Sequence, residues 1–212
     1  MLKIITYPMT RKTDRDVELP NLFTFFKDKQ GTFKSALDVG AHYSANYYAD
    51  QLRLYAEQYH GLDPDYDEVA SRIVDKFIQE DFLKADLPAY DLVLCLSTIE
   101  HVGMYPIIYP DREQIRDVFF KKLLAIAKKY LWISFPVGQK YEIEGEMSII
   151  PPDQTKRWLE LIKPYRAQVS FFWSAGPQAG NPWELSNAER CFAQKYNDRL
   201  GTQAVCIMEI EK

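Results

Sequence analysis

The run Asp91-Leu92-Val93-Leu94-Cys95-Leu96 constrains the fold most. Its apolar residues follow one another without the polar alternation of a half-exposed strand, so both faces of the strand must be covered. Such strands belong to sheets whose parallel connections place helices on either side. The chain on both sides of this run keeps that rhythm. Ser35 to Gly40 reads as a short buried strand ending in a glycine. Residues 44–58 read as a helix, with Tyr48, Leu52, Tyr55, Ala56 and Tyr59 at steps of three and four. A second strand ends near Leu62, and Asp63-Pro64-Asp65 turns into a helix with Tyr66, Val69, Ala70, Ile73 and Val74 on one face. Phe77 and Ile78 form a weak third strand that stops at Asp81.

Beyond the Asp91 strand, residues 112–130 read as a long helix with Ile115, Val118, Phe119, Leu123, Ile126 and Ala127 as its apolar stripe. Residues 131–135 form a strand that Pro136 stops. Pro151 and Pro152 suit the first turn of a helix through Trp158 and Ile162. Residues 169–173 are a further strand, Ser186-x-x-Glu189 is a capping box opening a helix that Gly201 can close, and residues 203–210 are the last strand. Ahead of the sheet, Asn21 starts a short amphipathic helix holding Leu22, Phe23, Phe25 and Phe26. The expected fold is α/β: a single domain over residues 1–212, built on a doubly wound, mostly parallel, seven-stranded Rossmann-like sheet with an antiparallel last strand.

Ligands of such sheets sit outside the carboxyl ends of the strands, at the point where strand order reverses. The polar residues gather there: Asp38 with Gly40, then Asp63, Asp81, and Ser97 through His101. A dinucleotide would call for G-x-G-x-x-G after the first strand, and only Gly40 is present. The acid before the turn would repel a pyrophosphate but suits a positively charged group such as the ammonium of an amino acid. No G-x-x-x-x-G-K-[ST] occurs, which excludes a P-loop nucleotidase.

At these residues the sequence resembles the class I S-adenosylmethionine-dependent methyltransferases. Leu37-Asp38-Val39-Gly40-Ala41-His42-Tyr43-Ser44 matches the acid and first glycine of their first motif, with His42 and Ser44 in place of the later glycines. The resemblance implies that Asp63 holds the ribose hydroxyls, that Asp81 meets the adenine amino group and that Phe82 covers the ring. It matches Tyr90 through Val102 to the strand-four motif, placing Leu96 and Ser97 against the cofactor and His101 across from the methyl group as a base. Asp38 to Tyr43 would then line the methionine end. The implied division is an extension over 1–33, a cofactor-binding half over 34–135 and a substrate-side half over 136–212. Tyr105, Tyr109 and Trp173 lie on segments that overhang the cleft and are candidate substrate walls, as is Trp183.

Plainer readings exist for each. Asp38 and Asp63 would serve equally as helix starters, Asp81 as a surface acid, His101 as a structural histidine, and the aromatic residues as core. Against 26 basic residues stand 30 acidic ones, which gives no electrostatic footprint for phosphate backbones and argues against nucleic acid. Cys95, Cys191 and Cys206 form no CxxC pair and read as reduced thiols of a cytoplasmic protein without a metal site. No apolar run is long enough for a membrane helix. The expected activity is methyl transfer from S-adenosylmethionine to a small polar acceptor, a hydroxyl of a sugar or related metabolite. A rival is a methyltransferase-like binding module acting in a larger assembly. A nicotinamide-dependent oxidoreductase is disfavoured by the missing glycines.

Overall fold

The structure, a computed structural model, describes residues 13–29, 31, 33–42, 44, 47–104, 107–143, 146–177, 180–197 and 201–212. Helix α1 (Arg15–Asp28) comes first. Asp14 caps it by accepting from the Arg15 amide (3.1 Å), and Asp16 and Glu18 lie in the first turn, where a helix favours acids. The predicted start at Asn21 falls inside this helix. Pro20 suggests a boundary in sequence, yet the chain carries it within α1.

The sheet is eight-stranded, in the order β3-β2-β1-β4-β5-β10-β8-β9. Strands β1 (Phe33–Val39), β2 (Ala56–Asp63), β3 (Lys76–Gln79), β4 (Tyr90–Leu96) and β5 (Ala127–Pro136) are parallel. Helices α2 (Ala49–Tyr55), α3 (Glu68–Ile73) and α4 (Arg112–Ile126) fall between them in sequence. A hairpin of β6 (Tyr141–Ile143) and β7 (Met147–Ile149) leads to α5 (Pro152–Ile162). The last strand, β10 (Ala204–Glu211), runs antiparallel between β5 and β8 (Arg166–Trp173). Sequence did not show three of these strands: the two of the β6–β7 hairpin, and β9 (Glu184–Ser186), which pairs antiparallel with β8 at the edge of the large sheet. Order reverses between β1 and β4, so the ligand-binding crevice of a doubly wound sheet is expected above those two strands.

All seven residues of β4 are buried. On one face, Leu37, Val93, Cys95, Leu131 and Ile133 pack with α4 and α5; on the other, Ala36, Leu92, Leu94 and Trp132 pack with α1 and α2. Two predicted helices run too far. Helix α2 stops at Tyr55 and α4 at Ile126, because Ala56 and Ala127 pass directly into strands. Both strands open with a buried residue, two exposed ones and a buried one, a spacing of three that imitates a helix. Tyr66, Val69 and Val118, expected on buried helix faces, are exposed. Asn187 rather than Ser186 caps α6 (Ala188–Phe192), which ends well before Gly201. The three cysteines are free and buried. Among the described residues no helix is long and apolar enough to cross a membrane, and no group of His, Cys, Asp and Glu could hold a metal.

Candidate active site

A cavity of about 540 Å³ opens at the carboxyl ends of β1, β2 and β4, a size usual for small-molecule sites. Gly40, His42, Asp63, Asp81, Phe82, Leu96, Ser97, His101 and Tyr109, all singled out in the sequence, line it. So do Arg15, Tyr47 and Glu146, which sequence reasoning missed.

The floor is the turn after β1. Gly40 has φ +86°, and a Cβ there would lie 2.0 Å from Thr98 Oγ1, so neither the backbone nor the space admits another residue. The turn is tied to β2: the amides of Gly40 and Ala41 both donate to the Leu62 carbonyl (2.9 and 3.1 Å). At the end of β2 the carboxylate of Asp63 accepts from the amides of His42 (3.1 Å) and Asp65 (2.9 Å). One lone pair on each oxygen remains for a ligand, which suits a pair of vicinal hydroxyls. Burial raises the Asp63 pKa.

Beyond β3, Asp81 accepts from the Leu83 amide (3.0 Å) and from the Tyr109 hydroxyl (2.6 Å). That bond pushes the Tyr109 pKa up to about 12. Tyr109, expected against the acceptor, therefore stands at the same end as Asp81. Phe82 is buried and packs on Phe119, ring centroids 4.6 Å apart, giving this end an apolar side suited to a flat base.

The opposite wall hangs from the end of β4. Ser97 adopts a left-handed conformation, φ +42°, unusual for a residue other than glycine. Its amide donates to the Ser134 carbonyl (3.1 Å), and its hydroxyl donates to Glu18 Oε1 of α1 (2.5 Å). The second Glu18 oxygen accepts from Arg15. A single 3-10 turn, Ile99–His101, follows. Glu100 is buried, and burial drives its pKa well up. His101 is half exposed. Its Nδ1 bonds to the backbone carbonyl of Glu146 beside the β6–β7 hairpin. A carbonyl only accepts, so Nδ1 carries the hydrogen and Nε2 keeps its lone pair. Desolvation lowers the His101 pKa, which favours this neutral form.

Other candidates lie elsewhere. Asp38 does not line the cavity. Alternation along β1 puts it with Ala36 on the α1–α2 face, where it accepts from the hydroxyls of Tyr48 (2.8 Å) and Tyr59 (2.9 Å). It is fully buried, and burial lifts its pKa to about 6. Ala41 is buried against Gly61. Trp173 also stays off the cavity: its indole donates to Gln194 Oε1 (2.9 Å), and the Arg190 guanidinium lies 3.5 Å over its ring. Trp183 donates to the Thr13 carbonyl (2.9 Å) and so pins the start of α1. Tyr43 and Tyr105 fall outside the described residues.

No protein-family model matches the chain, and no curated protein matches it in sequence. Solved structures do match its fold. It is similar to an S-adenosylmethionine-dependent methyltransferase from Leishmania major (TM-score 0.57, 18% identity), over 94% of this chain and 73% of that one. One from Archaeoglobus fulgidus matches at TM-score 0.57 and 16% identity, over 93% and 94% of the two chains. The magnesium protoporphyrin IX methyltransferase of Synechocystis, solved with bound S-adenosylmethionine, matches at TM-score 0.55 and 11% identity, over 97% and 88%. The chain has the fold of the class I S-adenosylmethionine-dependent methyltransferases.

Proposed function

We propose that this chain transfers a methyl group from S-adenosylmethionine to a hydroxyl of a small polar acceptor, a sugar or related metabolite. The observation that carries this reading is one cavity lined at successive strand ends by Gly40, Asp63, Asp81 with Phe82, and Ser97, and also by His101, whose Nδ1 is bonded to the Glu146 carbonyl. The residues fit the nucleotide: Asp63 has lone pairs for the ribose, and Asp81 with Phe82 offers an acceptor and a ring for adenine. Bound S-adenosylmethionine would supply a methyl on a positively charged sulfur, so the protein's main task is to align the incoming oxygen.

With the cofactor bound, His101 would take the proton of the acceptor hydroxyl onto Nε2 as the C–O bond forms and the methyl–sulfur bond breaks, leaving S-adenosylhomocysteine, and would later release that proton to solvent. The hydrogen bond from Nδ1 to Glu146 fixes the ring for this role. Asp63, Asp65, Asp81 and Glu146 make the cavity wall rich in acids, which opposes a polyanionic acceptor and agrees with a small molecule. Three buried free thiols fit a reducing compartment such as the cytoplasm.

One observation favours a binding module without catalysis: the turn after β1 lacks two of the three glycines, and its described amides are already bonded within the protein. Calorimetry separates the readings. The wild type should bind S-adenosylmethionine and S-adenosylhomocysteine but not NAD, and Asp63→Ala should weaken both by ~1–3 kcal/mol. Binding of neither sulfur nucleotide overturns the proposal.

A further inference from the structure

We infer that Arg15 holds the α-carboxylate of the sulfonium cofactor, so that the methionine end is anchored by the helix ahead of the sheet rather than by the turn after β1. This rests on the proposed function and names the residue on which the cofactor's amino-acid end depends.

The first observation is that the described amides of the turn are already engaged within the protein. The amides of Gly40 and Ala41 go to Leu62, that of His42 to Asp63, and that of Ser44 to the Ala41 carbonyl (3.1 Å). No described amide between β1 and Ser44 points free into the cavity. The acid at Asp63 adds repulsion for a carboxylate approaching there.

The second observation is where the positive charge lies. Among the described residues, Arg15 is the one Lys or Arg side chain that lines the cavity. Its guanidinium carries five N–H donors, and its bond to Glu18 uses one of them. The side chain is 20% exposed, so an oxyanion on its free edge would be largely shielded from water and held more firmly than in a surface pair.

The third observation is that the guanidinium is held in place before any ligand arrives. Glu18, fully buried, grips Arg15 with one oxygen and the Ser97 hydroxyl with the other. The Tyr47 ring lies under the guanidinium, 5.3 Å from carbon to centroid. Arg15 is thereby registered against the end of β4, one of the two strands that flank the switch point. The left-handed backbone at Ser97 has a use in this arrangement, since its hydroxyl must reach Glu18. Glu18 and Ser97 act through Arg15 and are positioning residues.

The test compares two ligands that differ only in the amino-acid end. Calorimetry of wild type, Arg15→Lys and Arg15→Ala is run with S-adenosylhomocysteine and with 5′-methylthioadenosine, which keeps the adenosine thioether and lacks the carboxylate. Arg15→Ala should lose about 10- to 100-fold in affinity for S-adenosylhomocysteine and keep its affinity for methylthioadenosine within about twofold. Arg15→Lys, which keeps the charge and loses the planar fork, should fall between. Glu18→Gln should show a smaller loss confined to S-adenosylhomocysteine. Equal weakening of both ligands would mean that Arg15 only shapes the pocket, and an unchanged affinity for S-adenosylhomocysteine would put the carboxylate elsewhere; either overturns the inference. Should Arg15→Ala not fold by circular dichroism, the ligand contrast in Arg15→Lys decides. A wild type that binds neither ligand removes the methyl-transfer reading itself, an outcome distinct from these.

Discussion

Replacing Asp38 by asparagine takes one charge out of the interior and leaves the shape of the side chain unchanged. In the folded protein burial lifts this carboxyl from 3.8 to about 6, even though two tyrosine hydroxyls stabilise its ionised form. Below about pH 4 the folded and unfolded states are both protonated, and Asp38 has no effect on the balance between them. From there to about pH 6 the folded state keeps a proton that the unfolded state has released, so stability falls as pH rises; above that the deficit is constant. A displacement of this size corresponds to roughly 3 kcal/mol. The Asp38→Asn variant carries no such penalty. Its side-chain amide can accept from one tyrosine hydroxyl and donate to the oxygen of the other. Urea denaturation of both proteins across pH 4 to 8 should give a difference near zero at the acid end and favour the variant by up to roughly 3 kcal/mol at neutral pH. A flat difference would refute the burial argument, and a difference favouring aspartate at neutral pH would mean that the hydroxyl bonds to the carboxylate outweigh its desolvation. Because Asp38 lies off the cavity, the affinity for S-adenosylhomocysteine should change less than about threefold; a collapse at unchanged stability would show that the carboxylate reaches the ligand.

Gly40→Ala combines a left-handed backbone with a methyl 2.0 Å from Thr98 Oγ1, and should cost at least ~1–3 kcal/mol by thermal melting; Thr98→Gly in the same chain should return part of the loss. For His101, nitrogen NMR should show hydrogen on Nδ1 in the neutral ring and a titration midpoint below the ordinary 6.5, in keeping with its desolvation. Trp183→Phe removes the bond to the Thr13 carbonyl and should cost ~1 kcal/mol, with amide exchange accelerated in the first turn of α1 rather than across the sheet.

The sheet is legible in the sequence because β4 is continuously apolar from Leu92 to Leu96 and because acids recur where strands end. The true ends of the two overlong helices are not, since Ala56 to Tyr59 and Ala127 to Tyr130 have the same spacing of buried residues in a strand as on a helix face. Alternation along β1 separates Asp38 from Leu37 and Val39, but only the packing of α1 and α2 decides which face is covered. Pro20 masks the true start of α1 and with it Arg15, although Asp14 followed by acids in the first turn is a helix-start signal. The partner of His101 Nδ1 is a backbone carbonyl, which has no sequence signature at all. Trp173 can be placed on its strand, but its neighbours Arg190 and Gln194 come from a segment whose path only the fold reveals.

The position of β10 governs the order in which the molecule can be assembled. It pairs with β5 on one side and β8 on the other, and both precede it by dozens of residues. Until residues 204–211 exist and dock, β5 and β8 each present an open row of backbone donors and acceptors facing an empty slot. A chain interrupted before that segment would be held as two incomplete sheets, able to recruit a strand from any neighbour. Quality control in a cell would therefore see this protein as sticky until one short stretch arrives. A peptide spanning those residues, supplied separately to a chain that lacks them, should rescue it from aggregation.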